Sequence, residues 1–221
     1  MGKPIIVFGT GEVAELAHFY FTHDSPYEVA GFTVDAAYVE KTTFCGLPVV
    51  PFERVTEAFP AERYGAFVAV GYANLNEVRT SKVAACRTKS YRLVSYLSSR
   101  ATVFAGFELK ENCFILEDNT IQPFARVGHN VTLWSGNHIG HHSIIDDDVF
   151  IASHVVVSGG VHIGRGSFIG VNVTLRDHIT IGKQCVLGAA ALVLGDQPDF
   201  SVVAPRGTER AKVPSTRLRG I

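Results

Sequence analysis

From Val103 to Val193 every sixth residue is aliphatic, and the register is never broken: Val103, Leu109, Ile115, Ile121, Val127, Leu133, Ile139, Ile145, Ile151, Val157, Ile163, Ile169, Leu175, Ile181, Leu187, Val193. A helix repeats at about 3.6 residues and a strand at 2, so a period of six needs a stack of short strands and turns. That is the hexapeptide signature of a parallel β-helix. Three hexapeptides make one triangular coil of 18 residues, and sixteen give a little over five coils. The first residue of each points inward. The fifth is usually small or apolar too: Val131, Ser143, Val149, Val155, Val161, Ser167, Val173, Ala191. The second is often glycine (Gly128, Gly140, Gly164, Gly170, Gly182, Gly188), which suits a tight corner. Stacked coils bury one continuous apolar column that no single coil buries alone.

Ahead of this run the pattern is different. Pro4–Phe8 is a short apolar strand, followed by the turn Gly9-Thr10-Gly11 and a helix carrying Val13, Ala14, Leu16, Ala17 and Tyr20 at helical spacing. Asp24-Ser25-Pro26 ends that helix, and Tyr27–Val34 is a second strand that stops at Asp35. A short helix at Phe52–Ala58, a strand at Gly65–Val70 running into Gly71-Tyr72, a helix at Asn74–Thr88 and a strand at Tyr91–Leu97 follow. Alternating strands and helices predict a parallel α/β layer. The division expected is an α/β Rossmann-like domain over 1–98, an all-β parallel β-helix over 99–197 and a tail over 198–221.

Composition narrows the class. The chain has 221 residues, 47% hydrophobic and 19% charged, as in a folded globular protein. A net charge of −1 provides no basic stripe for nucleic acid. No stretch approaches the roughly 20 apolar residues of a membrane span. The start reads as a buried strand rather than a signal peptide, and MGKPII lacks the Ser or Thr of a myristoylation signal. Cys45, Cys86, Cys113 and Cys185 have no CxxC spacing and read as reduced thiols of a cytoplasmic protein.

Candidate chemistry falls in two places. G-x-G-x-x-A with an acid about 20 residues on is a Rossmann-type fingerprint. Gly9, Thr10 and Gly11 let backbone N–H groups approach a phosphate, and Asp35 accepts hydrogen bonds from a ribose or a base edge. Gly71 and Tyr72 close the same strand end. About 98 residues is short for both halves of a dinucleotide fold, so a nucleoside diphosphate is expected here rather than NAD. In the β-helix, residues 18 apart stack. The column through His141 reads Ala105, Pro123, His141, Gly159, Asp177, Gly195, which sets small neighbours on either side of the imidazole. The next column contains Phe124, His142, Gly160 and His178; a third reads Glu117, Ser135, Ser153, Val171, Ala189. Seven of the nine histidines lie in the repeat, and His141 and His142 stand out by their corner. Zinc would need three converging imidazoles, and no metal is expected.

A glycine-turn α/β domain joined to a hexapeptide β-helix resembles the sugar-nucleotide acetyltransferases of the PglD/NeuD type. The resemblance runs from Ile5 to about Val203 and is most specific at Gly9-Thr10-Gly11, Asp35, the His141 corner and Ser158–Gly164. It implies a left-handed coil, a homotrimer, acetyl-CoA as co-substrate in the cleft between neighbouring β-helices, and a nucleotide-linked sugar on the α/β domain. The implied reaction is N-acetylation of an amino sugar, a 4-amino-4,6-dideoxy sugar, for surface glycans. O-acetylation of a sugar such as sialic acid is the alternative acceptor chemistry, and a non-catalytic sugar-nucleotide-binding protein the alternative class. By the resemblance His141 is the catalytic base, the Gly159 N–H meets the thioester carbonyl, and Val171 and Ala189 line the coenzyme wall. In that family an acid often follows the histidine; here His142 does. Asp146, Asp147 or Asp148 are candidates for the orienting group. The family's coenzyme-proximal Gly-x-Pro-Ala-Lys stretch is replaced by Ala204-Pro205-Arg206-Gly207, with Arg206 and Lys212 as possible phosphate partners.

Overall fold

The computed structural model describes residues 2–210 and 212–217; the tail's end, 218–221, lies outside them. The first third of the chain forms β1 (Lys3–Phe8), α1 (Glu12–His23), β2 (Tyr27–Val34), the hairpin β3 (Thr43–Phe44) and β4 (Leu47–Pro51), α2 (Val55–Ala58), β5 (Gly65–Val68), α3 (Glu77–Thr88) and β6 (Arg92–Leu93). The sheet order is β3-β4-β2-β1-β5-β6, parallel except at the hairpin. The central strand is covered on both faces, which is why its sequence is apolar without alternation. Ile5 and Val7 pack with Ala14, Ala17 and Phe21 of α1. Ile6 and Phe8 pack with Val55, Val83 and Cys86 from α2 and α3.

Three local expectations change. The hairpin was not expected: its turn, Cys45 (φ 49°) and Gly46 (φ 76°), lacks the Asn-Gly or Asp-Gly that marks such turns. The helix expected from Asn74 starts only at Glu77, because Asn74, Leu75 and Asn76 all have left-handed φ of 49°, 49° and 69°. The strand expected over Tyr91–Leu97 divides: Arg92–Leu93 joins β5, and Tyr96–Leu97 pairs with Phe114–Ile115 of the coil.

The repeat folds as a parallel β-helix of two-residue strands on three faces. The first face holds Thr102–Val103, Thr120–Ile121, His138–Ile139, Val156–Val157, Thr174–Leu175 and Leu192–Val193. The second holds Arg126–Val127, Ile144–Ile145, His162–Ile163 and Thr180–Ile181. The third runs from Tyr96–Leu97 through Phe114–Ile115, Thr132–Leu133, Phe150–Ile151, Phe168–Ile169 and Val186–Leu187 to Val202–Val203. The sixfold residues from Ile115 to Val193 are buried, each contributing about 1.5–3 kcal/mol by the usual burial scale. Val103 and Leu109 are exposed. Leu109 forms no strand, so the second face lacks its first rung.

Glycine at the second position does not serve as expected. None of Gly128, Gly140, Gly164, Gly170, Gly182 and Gly188 has positive φ. They are needed because the next coil crosses close by: a Cβ on Gly140 would stand 2.6 Å from the Gly159 nitrogen, and one on Gly164 2.6 Å from the Lys183 nitrogen. The left-handed position is the fourth. Asn112, Asp118, Phe124, Asn130, Gly136, His142, Asp148, His154, Gly160, Gly166, Asn172, His178, Gln184 and Ala190 all have positive φ. Asn, Asp, His and Gly tolerate that region best, which accounts for three of the repeat's seven histidines.

The α/β domain covers the third face. Tyr96, Phe114, Thr132 and Phe150 point outward from the coil yet are buried. Phe67 stands 5.4 Å from Phe114, and the Tyr20 and Tyr96 rings lie 5.2 Å apart beside it. Arg79 of α3 is 2% exposed and donates to Thr132 Oγ1 (2.7 Å), the Asn130 carbonyl (3.0 Å) and the Val149 carbonyl (3.5 Å). Burial pulls its pKa down to about 10, and the nearby Asp148 carboxylate works against that shift.

Candidate functional site

Two separate places carry the candidate chemistry. The first is a cleft of about 550 Å³ where β1, β2 and β5 end. Gly9, Thr10, Gly11, Asp35 and Gly71 all line it, so five of the six residues expected there converge. Gly9 has φ +130°, and a Cβ on it would meet the Ala69 carbonyl at 2.6 Å. That glycine is demanded by the fold. Gly11 and Gly71 are different: nothing lies within 4 Å of where a Cβ would be. Their bare backbone serves the open cleft, not the packing. Gly11 caps α1 without a side-chain hydrogen bond, leaving first-turn N–H groups facing the cleft.

Asp35 is not free. Lys82 Nζ of α3 donates to both its oxygens, at 2.6 and 2.8 Å, and also lies 5.5 Å from the Phe8 ring. Lys82 was missed by sequence reading, as was Tyr38, an exposed aromatic on the cleft rim. The signal for Lys82 is its place one turn after Val78, on the same face of the helix. Tyr72 stands apart from the cleft: its ring packs at 5.0 Å from Phe150 and 4.7 Å from Phe168 on the coil.

The second place is the edge between the first and second faces. His141 and His142 sit there together, both exposed. The backbone holds His141 firmly: its N–H donates to Gln122 Oε1 (2.9 Å), and its carbonyl accepts from the Gly160 N–H (2.8 Å). The imidazole lies against Gly159, where a Cβ would stand 2.5 Å from Cε1 and 2.6 Å from Nε2. The small neighbour expected above His141 is therefore filled by the ring itself. His142 stacks on Phe124 of the coil below at 4.8 Å. The two Nδ1 atoms are 3.1 Å apart.

None of the three aspartates orients His141. Asp146 faces His162 Nε2 (3.1 Å), Asp147 accepts from the His129 N–H (2.7 Å), and Asp148 accepts from Asn130 Nδ2 (2.7 Å) and Arg165 Nε (2.8 Å). All three belong to the edge between the second and third faces, one corner further along the coil. The group that reaches His141 is His142.

Val171 and Ala189 stack in one column, with the Ala190 N–H donating to the Val171 carbonyl (2.8 Å), but on the third edge, between the third and first faces. Lower in that column Ser135 Oγ donates to Glu117 Oε1 (2.7 Å), and Tyr20 of α1 donates to Glu117 Oε2 (2.8 Å). Burial and the adjoining Glu117 push the Tyr20 phenol up to about 12. Within one chain, then, His141, His142 and Gly159 gather on one edge, and Val171 and Ala189 on another. Cys45, Cys86, Cys113 and Cys185 are free thiols, and among the described residues no helix is long and apolar enough to cross a membrane. Arg206 and Lys212 are exposed in the tail.

Residues 124–159 match the family model described as bacterial transferase hexapeptide (six repeats). No curated protein matches the chain in sequence. Its structure is similar to the acetyltransferase domain of PglB from Neisseria gonorrhoeae FA1090, with 21% identity over 91% of this chain and 96% of that one and a TM-score of 0.81. It is similar as well to a mutant of perosamine N-acetyltransferase from Caulobacter crescentus in complex with CoA and GDP-perosamine, with 20% identity, 90% and 92% coverage and a TM-score of 0.79. WeeI from Acinetobacter baumannii AYE gives 19% identity, 91% and 97% coverage and a TM-score of 0.77. These likenesses establish the fold, an α/β domain on a left-handed parallel β-helix, as the sequence pattern and the resemblance led one to expect.

Proposed function

We propose that this chain is a cytoplasmic N-acetyltransferase that moves an acetyl group from acetyl-CoA to the amino group of a nucleotide-linked amino sugar, a 4-amino-4,6-dideoxy sugar of surface glycan synthesis. The observation that carries this is the pairing of an open glycine-lined cleft with an exposed imidazole seated on Gly159. Supporting it, two of the similar folds are acetyltransferases by name, and one was solved with CoA and GDP-perosamine.

In this reading the first-turn amides of α1 and the bare backbone of Gly11 and Gly71 hold the diphosphate. Asp35 and Lys82 present an acceptor and a donor to the ribose or base. His141 Nε2 takes the proton from the sugar amine as nitrogen attacks the thioester carbon. The Gly159 N–H, which donates to no acceptor among the described residues, faces the developing oxyanion. Collapse breaks the carbon–sulfur bond, and the imidazolium returns the proton to the leaving thiolate. The products are an amide and the free thiol, with no net proton change.

The position of the two places bears on assembly. The α/β domain covers the third face, whereas the His141 edge is the corner of the triangle opposite that face. Val171 and Ala189 lie on a different edge from His141. In this reading the coenzyme lies between adjacent β-helices of a homotrimer, where one copy contributes the His141 edge and its neighbour the Val171 and Ala189 edge.

The test is thiol release from acetyl-CoA with a panel of nucleotide sugars. Release with 4-amino sugars only is the expected result. Release with sialic acid instead would move the acceptor to a hydroxyl, and nucleotide-sugar binding without any release would overturn the enzymatic reading.

A further inference from the structure

We infer that His142 is the positioning residue of the site: it holds His141 in the one tautomer that can act as a base. This rests on the proposed reading of His141. Two Nδ1 atoms 3.1 Å apart form a hydrogen bond only if one carries the proton and the other presents a lone pair. Two arrangements satisfy that. If His142 donates, His141 Nδ1 is the acceptor, and the neutral His141 ring then has its proton on Nε2 and cannot accept there. If His141 Nδ1–H donates to the His142 Nδ1 lone pair, His141 Nε2 is left unprotonated, over Gly159 and open to an acceptor amine. Only the second arrangement fits a base. His142 then has its proton on Nε2, which points away from the pair.

The surroundings favour a neutral device over a charged one. The coil below contributes Gln122, Pro123, Phe124 and Ala125, and the coil above Ser158, Gly159, Gly160 and Val161; neither has an ionisable side chain. The next ionisable groups on this edge, Arg176, Asp177 and His178, belong to a further coil, from which the His178 ring packs back onto Gly160. The Phe124 ring packs against His142 at 4.8 Å with a 35° tilt, and the backbone at His142 is left-handed (φ 58°). A histidine here does the orienting work of a carboxylate without placing a negative charge beside the base.

Because the left-handed backbone could itself explain a histidine at this position, the test uses residues that adopt it equally well. His142→Gly keeps the backbone and removes the acceptor; His142→Asn keeps both, since its side-chain oxygen can accept from His141 Nδ1–H. We expect His142→Gly to lower kcat at least about tenfold with KM little changed, and His142→Asn to recover most of that loss. His142→Asp, which adds an anion beside the base, should move the acidic limb of the kcat/KM profile to higher pH. Nitrogen-15 NMR of the imidazoles provides a readout independent of turnover: His141 protonated on Nδ1 and His142 on Nε2 in the wild type, with the His141 preference lost in His142→Gly. Equal kcat in His142→Gly and wild type, or His141 found protonated on Nε2, would overturn the inference. Absence of acetyl transfer in the wild type would instead sink the proposed function, and the NMR result would still decide the tautomer.

Discussion

Two edges of the same coil solve the same backbone problem in opposite ways. Both place their fourth residue in the left-handed region. On the edge between the second and third faces those residues are Asn112, Asn130, Asp148, Gly166 and Gln184; on the edge between the first and second they are Gly106, Phe124, His142, Gly160 and His178. The former edge lies under the α/β domain, and its side chains form a buried ladder. The Val68 N–H donates to Asn112 Oδ1 (2.7 Å), Asn112 Nδ2 to Asn130 Oδ1 (2.8 Å), Asn130 Nδ2 to Asp148 Oδ1 (2.7 Å), and Arg165 Nε to Asp148 Oδ2 (2.8 Å). The latter edge is uncovered, and its rings stack on one another or on glycine. Buried polar groups must be paired, so the covered edge is committed to joining the domains. The side chains of the uncovered edge carry no such commitment, and His141 and His142 stand exposed there. The ladder starts from the end of β5, the strand that leads into Ala69, Val70 and Gly71, so the covered edge also supports one wall of the glycine-lined cleft.

If this division holds, substitutions on the two edges separate activity from stability. His141→Ala should cut kcat by about 10²–10⁴ while the melting temperature and coenzyme affinity stay near wild type; a calorimetric scan beside the thiol assay checks both, and near-normal turnover would remove His141 from the mechanism. On the covered edge the pattern reverses. Arg79→Met, which leaves the Asn130 carbonyl and Thr132 hydroxyl without their donor, should cost about 3 kcal/mol in urea unfolding. A loss of only a few tenths would mean that the Arg79 hydrogen bonds contribute little to holding the domains together. Asn112→Gly keeps the left-handed backbone but strands the Val68 N–H; a loss of about 2 kcal/mol is expected, with a rise in KM for the nucleotide sugar larger than any change in kcat.

The smallest effect concerns acid. Burial raises the Asp24 carboxyl, but hydrogen bonds from Tyr96, the Ser99 N–H and Ser98 outweigh it and hold the pKa below the ordinary value. Glu117 is treated the same way, raised by burial and lowered further by Ser135 and Tyr20. A carboxyl with a depressed folded pKa stabilises the fold above its unfolded pKa, about 4, and loses that contribution as pH falls through the folded value. Asp24→Asn should therefore flatten the fall in stability below about pH 4 and change little in the slope above it. An unchanged acid limb would show that the Asp24 hydrogen bonds contribute no pH-linked stability.

Much of this was legible in residues taken one at a time. The sixfold aliphatic register was enough to predict a β-helix, because the inward position repeats along the chain itself. Gly9-Thr10-Gly11 marked the cleft for the same reason: a turn is local. The fourth-position pattern of Asn, Asp, His and Gly is present too, and it, not the second-position glycines, marks the left-handed corner. Those glycines answer to the next coil, which is 18 residues away, and spacing alone does not say how closely two backbones approach.

What the sequence by itself determined is the repeat and the glycine turn, and it set His141 and His142 apart as the paired corner histidines. The partners were decided only by the tertiary structure. Lys82 reaches Asp35 from a helix 47 residues on, Asp148 is claimed by Arg165 and Asn130, and the His142 Nδ1 stands 3.1 Å from that of His141. A period is written in the backbone's own geometry, residue by residue. A hydrogen-bond partner is whichever group the packing brings within reach after every other claim on it has been met, and that competition is settled in three dimensions.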